Sequence, residues 1–326
     1  MRGGVRSLVV LIGLAALAGF GLRAGPASAT VVFDWVAIGD AGNAPDAAAN
    51  CLGAGCGAVA YEFFVSRHEV TNAQYVEFLN AKAAADPLAL YNTNMASHAQ
   101  GGITRSGVFG SFSYAVKPGF ENKPVNFVSF YDALRFTNWL GNGQGGGATE
   151  TGAYTLLGGT ITPSNGASVT RNPGAIAFLP SENEWYKAAY YDGLSASWFD
   201  YPTGSNAATV CAAPTATANR ANCASAAGGL TDAGAYAGSA SPYGTFDQGG
   251  NVIEWNEEIV GGTSRGIRGG SWSSSALLLA ASFPLSGNPT NENDGFGFRV
   301  ASVVPEPGTS LLVAIGLAAL AARRRP

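Results

Sequence analysis

Few side chains in this sequence could do chemistry, and their spacing limits what they could do. His68 and His98 are the 2 histidines, so a site built on three imidazole ligands is excluded. The 4 cysteines fall as two close pairs, Cys51 with Cys56 and Cys211 with Cys223. Such thiols suit a soft metal ion or redox chemistry if the two pairs meet in space, and two local disulfides if each pair keeps to itself. An even count in an exported chain makes the disulfides the default, each stapling a Gly/Ala-rich loop with little core of its own. Ser274 could in principle be a nucleophile, but it needs a base and neither histidine lies near it in sequence. Nucleic acid is excluded as a main partner. With 18 basic against 22 acidic side chains, a net charge of -4 and no basic stripe, the chain has no footprint for a phosphate backbone.

Both ends read as sorting signals rather than as parts of a fold. Residues 1–29 have a secretory pattern: Arg2 and Arg6, an apolar stretch from Leu8 to Phe20, then Ala27-Ser28-Ala29 as a small-residue cleavage site. At the other end, Val304-Pro305-Glu306-Pro307-Gly308 precedes an apolar run from Ser310 to Ala322 and then Arg323, Arg324 and Arg325. An apolar run closed by arginines would halt in a membrane with the arginines in the cytoplasm. The whole pattern, residues 304–326, resembles the PEP-CTERM sorting signal of Gram-negative bacteria. That resemblance implies recognition by an exosortase, loss of the transient anchor, and delivery to the outer surface or extracellular matrix.

Between the signals, residues 30–303 carry no Pro/Ser linker or charge run that would divide them, so a single domain is expected. With 45 glycines in 326 residues, long helical bundles are poor candidates. Caps place three short helices. Thr71 precedes Tyr75, Phe78 and Leu79 at helical spacing; Ser129 and Asp132 precede Leu134, Phe136, Trp139 and Leu140; Ser181 and Glu184 precede Trp185, Tyr186, Ala188 and Ala189. These aromatic stripes are expected in the core. Short extended pieces are expected at Val31-Val32-Phe33, Phe63-Phe64-Val65, 175–179 and 299–303. Long loops rich in Gly, Asn, Ser and Ala, notably 141–147 and 203–238, join them. The fold class is α+β with little regular secondary structure.

Six anchors in order carry a second resemblance. They are His68-Glu69-Val70-Thr71-Asn72, Pro124-Val125-Asn126-Phe127-Val128-Ser129 and Leu179-Pro180-Ser181-Glu182-Asn183-Glu184-Trp185. Gly249-Gly250-Asn251-Val252-Ile253-Glu254-Trp255, Arg268-Gly269-Gly270-Ser271-Trp272 and Gly295-Phe296-Gly297-Phe298-Arg299-Val300 complete the series. It looks like the formylglycine-generating enzyme, or sulfatase-modifying factor, domain and implies that family's C-type-lectin-like fold. Trp255, Trp272 and Phe298 would be core aromatics. Arg299 would pair with a buried carboxylate, for which Glu69 and Glu184 are candidates.

The resemblance also says where chemistry should be sought. Family members that oxidise a substrate cysteine hold copper on two cysteines lying two and seven residues beyond the aromatic of the Gly-Gly-Ser-aromatic motif. With Trp272 as that aromatic, the positions are Ser274 and Leu279. A hydroxyl is a poor ligand for a soft cuprous ion and leucine is none, so copper is not expected. The expected function is an exported, non-catalytic binding or structural module for extracellular polysaccharide or peptide. The alternative is a copper-dependent formylglycine-generating oxidase whose cysteines converge from elsewhere near Trp272. Family members also hold calcium near the Gly-Asn-x-x-Glu-Trp motif. Here Asn251, Val252 and Glu254 match it, with Asn222 and Asp232 as partners from the preceding loop, in line with calcium's preference for several hard oxygen ligands.

Overall fold

Side-chain caps decide where the helices begin. The computed structural model describes residues 30–47 and 51–303; the expected signal peptide (1–29) and sorting signal (304–326) lie outside the described residues. Helix α1, Asn72–Lys82, starts at Thr71, whose hydroxyl accepts from Gln74 N while the Gln74 side chain returns to the Thr71 amide. Helix α2, Asn94–Ser97, is a single turn. Helix α3, Phe130–Gly141, and helix α4, Glu182–Tyr190, start at Ser129 and Ser181 with the same reciprocal box, closed by Asp132 and Glu184. Each box satisfies two otherwise orphaned backbone donors.

The strands in chain order are β1 Trp35–Ile38, β2 Phe63–Ser66, β3 Ile103–Ser106, β4 Ser113–Val116, β5 Ala177–Phe178, β6 Tyr191–Asp192 and β7 Ser197–Trp198. They continue with β8 Val210–Cys211, β9 Arg220–Ala221, β10 Ile253–Val260, β11 Ser264–Arg268, β12 Leu285–Gly287, β13 Phe296–Gly297 and β14 Ala301–Val303. One four-stranded sheet has the order β1-β2-β14-β5, all antiparallel; the other has the order β12-β11-β10-β13, with β13 parallel to β10. The stretch Val31-Val32-Phe33, expected to be extended, joins neither sheet. A side chain takes the place of a neighbouring strand there: Gln144 accepts from Val31 N at 2.7 Å and donates to Val31 O at 2.9 Å.

The aromatic stripes are core, as their spacing predicts. Tyr75 and Phe78 of α1 meet Phe136 and Trp139 of α3, and Phe136 packs edge-on against Phe298. Helix α3 is buried from Phe130 to Trp139, so its polar residues need internal partners. Arg135 holds Glu150 at 2.7 Å, and Asn138 donates to the carbonyls of Thr149 and Tyr154. Trp255 and Phe298 are fully buried, whereas Trp272 is only half-buried. At Trp272 the backbone is tied down, by Trp272 N to Asn251 O and Ser225 N to Trp272 O.

Candidate functional site

The segment from Asn251 to Trp255 feeds strand β10, and Glu254 faces inward from it. Its Oε2 accepts from Trp185 Nε1 at 2.7 Å and from Arg299 Nε at 2.6 Å, while its Oε1 accepts from Arg299 Nη2 at 2.8 Å. Arg299 also caps the carbonyls of Ser66, Arg67 and Phe246. The carboxylate partner of Arg299 is therefore Glu254, in place of the two candidates from sequence. Glu184 instead holds Arg171, which bridges it to Glu257. Glu69 lies buried in the same neighbourhood as Arg299 with neither oxygen hydrogen-bonded. Burial, then the nearby Asp247 and Glu254, pushes its carboxyl well above the ordinary carboxylate range. A protonated Glu69 leaves Arg299 to Glu254.

The five residues considered for calcium are not drawn to one point. Asn222 and Asn251 join Thr231 in a buried knot. Asn251 Oδ1 accepts from Asn222 Nδ2 and from Thr231 N, both at 3.1 Å, and Asn251 Nδ2 donates to Thr231 O. Asn222 Oδ1 is buried there with no partner. Val252 is buried beside the knot, Asp232 is exposed, and Glu254 is committed to Arg299 and Trp185. Among the described residues no group of three or more His, Cys, Asp or Glu side chains could hold a metal ion.

Ser274 and Leu279 do come together, across Gly270. A Cβ on that glycine would sit 3.0 Å from Leu279 Cδ1 and 3.2 Å from Ser274 Cβ. Leu279 is fully buried and clusters with Ala221 and Cys223, with Cys211 packed alongside. The Ser274 hydroxyl accepts from Ser271 N at 2.9 Å and lies 3.1 Å from Ser271 Oγ. No base touches it. His68 stacks on Phe246, and burial, then Arg299, lowers its pKa to about 4, which keeps it neutral.

Each cysteine pair is closed as a disulfide: Cys51–Cys56 with Cα atoms 5.5 Å apart, and Cys211–Cys223 with Cα atoms 4.9 Å apart. Cys211–Cys223 closes a separation of 12 residues, for which loop-closure entropy gives about 3 kcal/mol. Urea unfolding of the Cys211→Ser/Cys223→Ser double variant is expected to show a loss of about 2–4 kcal/mol. A loss near zero would mean that neighbouring contacts alone hold the loop.

Two further buried carboxyls set a pH dependence. Burial, then Glu292, pushes Asp132 up to about 7, and burial pushes Asp247 up to about 6. Acids that bind their protons more tightly in the folded state stabilise it at low pH, and that stabilisation is lost as pH rises through their folded pKa values. Glu184 works in the opposite sense: Arg171 overcomes burial and holds it below the ordinary range, outside this window. His68, held at about 4, also opposes them as pH rises toward the ordinary histidine value, so the melting temperature should fall by a net of about 3 °C between about pH 5 and about pH 8. A flat or rising profile by scanning fluorimetry would mean that these carboxyls stay ionised.

The sequence reading missed Arg171 and gave Glu182 and Arg268 only as members of their anchors, without their pairing. Arg268 stands opposite Glu254 in the β10–β11 register and binds Glu182 through Nε at 2.9 Å and Nη2 at 2.5 Å. The signal available for this pair was an arginine directly after an apolar residue and before a Gly-Gly turn, a place where a buried guanidinium needs an acid.

Comparisons with known proteins bear on the fold and the C-terminal sorting motif. A serine/threonine-protein kinase, pkn1, of Chlamydia pneumoniae is 25% identical over 262 residues, covering 74% of this chain and 33% of the kinase. Hercynine oxygenase of Mycolicibacterium smegmatis is 25% identical over 269 residues, 73% of this chain and 52% of the oxygenase. The chain thus spans a third to a half of the curated relatives it matches. The crystal structure of CarF superposes with a TM-score of 0.54 at 21% identity, covering 84% of this chain and 99% of CarF, which supports the shared fold. Residues 303–325 match the PEP-CTERM protein-sorting motif, so the chain carries a signal for exosortase-dependent export. Residues 56–304 match the sulfatase-modifying factor enzyme 1-like domain, and the chain belongs to that family, with its C-type-lectin-like α+β fold.

Proposed function

We propose that this is a non-catalytic member of the family, acting at the cell surface or in the extracellular matrix as a binding or structural module for polysaccharide or peptide. The observation that carries the reading is the environment of Leu279. Where family oxidases place a copper thiolate, this chain has a branched apolar side chain, fully buried, opposite a serine whose hydroxyl bonds to Ser271. Neither supplies a soft ligand.

A second reading has one observation in its favour. Cys223 and Cys211 pack in the same cluster as Leu279, so reducing their disulfide would place two thiols beside the oxidase position. One experiment separates the two readings. The protein is incubated with copper, oxygen and a sulfatase-motif peptide, with and without reductant, beside an active family member. An unchanged peptide in both arms supports the binding module. Conversion of the peptide cysteine to an aldehyde makes the protein an oxidase. Pull-down with extracellular polymer then tests the module itself, and absence of capture would remove its ligand.

Calcium belongs to this proposal in a narrower form, resting on the unpartnered Asn222 Oδ1, a hard oxygen of the kind calcium takes. Asn222, Asn251 and the Val252 backbone would hold the ion near the knot. Excess chelator should lower the melting temperature by about 3 °C or more. An unchanged melting temperature would remove calcium from the proposal.

A further inference from the structure

The turn between β10 and β11, the first turn of α3, the 162–167 loop and the segment after β12 line an open surface cavity of about 280 Å³. No charged side chain lines it. Its walls offer Tyr131, Thr263, Ser264 and Asn288 as polar groups, with Pro163 and Pro289 as apolar ones. Tyr131 is 3% exposed, and its hydroxyl has no hydrogen-bond partner among the described residues. The bare backbone of Gly166 admits that hydroxyl, since a Cβ there would lie 2.3 Å from the tyrosine oxygen.

Behind this wall is Arg265, 1% exposed. Its Nη atoms donate to the carbonyls of Glu257, Gly166 and Val169, and its Nε is buried without a partner. The other fully buried arginines, Arg135, Arg268 and Arg299, each hold a carboxylate. Among the described residues Arg265 holds none within 4.0 Å. A buried guanidinium without a carboxylate in direct contact is costly; the charges offsetting this one, Glu257 and Glu258, act from a distance, and it sits next to the cavity, bonded to the Gly166 carbonyl on its wall. Burial raises the Tyr131 hydroxyl pKa, and the charges acting against that rise are Arg265 and Arg135, both positive.

We propose that this cavity binds a carboxylated sugar residue of an acidic polysaccharide. The carboxylate accepts from the Tyr131 hydroxyl in the field of Arg265, and the sugar hydroxyls meet Thr263, Ser264 and Asn288 between the two prolines. The inference rests on the binding-module reading and names its ligand class. A neutral sugar would satisfy the hydroxyls but bring no charge to Arg265 beyond the more distant Glu257 and Glu258.

The test is calorimetric titration of the exported protein with tetramers of galacturonate, glucuronate, mannuronate and guluronate, beside a carboxyl-reduced galacturonate tetramer. At least one acidic tetramer should bind, weakening with salt. The reduced tetramer and the Tyr131→Phe variant should each lose about tenfold or more in affinity. Tyr131→Phe keeps the buried ring and removes no internal hydrogen bond, so its fold should persist. Thr263→Val, on the exposed turn, gives a second reading of the same site. Equal binding of acidic and reduced tetramers overturns the acidic assignment. Undiminished binding by both variants overturns the cavity. If no tetramer binds while the crude extracellular polymer is still captured, the cavity assignment falls and the binding module stands. If the polymer is not captured either, both fall.

Discussion

Replacing Arg299 with methionine is expected to remove about 3–5 kcal/mol of stability, enough to unfold much of the protein at ambient temperature. Arg299 is fully buried. It neutralises Glu254 and supplies donors to the carbonyls of Ser66, Arg67 and Phe246, so it ties strand β2 and the Phe246 segment to β10. Without it, Glu254 keeps only Trp185 as a donor and faces Glu69 and Asp247 with no cation between them. Arg299→Lys should recover part of the loss, because an ammonium keeps the charge without the bidentate fork. Adding Glu254→Gln to Arg299→Met should cost far less than the sum of the single changes, since the orphaned charge is gone. Urea unfolding of the four proteins reads this cycle. A loss under about 1 kcal/mol in Arg299→Met would mean that the ion pair does not hold the site together.

Gly250→Ala is expected to be nearly as damaging, for a reason of shape alone. Gly250 has φ +92, and a Cβ on it would lie 2.2 Å from the carbonyl oxygen of Asn222. That carbonyl cannot move away freely, because it accepts from Asn251 N while Gly250 N donates to Gly269 O. Left-handed backbone strain and overpacking together come to about 3–5 kcal/mol. Gly143→Ala provides the contrast: its φ is +85 with nothing within 4 Å of the added atom, so only the strain of about 1–2 kcal/mol remains. Comparable losses in the two variants would refute the close approach at Asn222.

Local signals in this chain were legible in its sequence, and long-range pairings were not. The three reciprocal caps at Thr71, Ser129 and Ser181 could be read because donor and acceptor lie three residues apart. The two disulfides were legible for the same reason. Glu254 shows the limit. Within its motif an acid beside Asn251 and Val252 suits a cation site, yet its partner Arg299 lies 45 residues away, and only the fold brings the two together. The β10–β11 hairpin was also hidden, because the buried acid and amide at Glu254 and Asn256 break the apolar alternation that marks a strand. The Tyr131 cavity had no sequence signal at all. It is assembled from four separate segments, and the residue that sets its charge, Arg265, does not line it.

The last described strand of the chain is not an edge. Strand β14 lies between β2 and β5, pairing Ala301 with both Val65 and Phe178, and the sorting motif begins at its final residue. The first sheet therefore cannot be completed until the C-terminal residues are available, so a partly translocated chain lacks an inner strand. The same placement governs how the finished protein bears a load. A pull on the tail while it is tethered runs along β14 and must shear the ladders on both sides together rather than unzip them one bond at a time. Resistance to such a pull is set by the rate of unfolding rather than by equilibrium stability, and an interior strand beside the tether is placed to slow that rate.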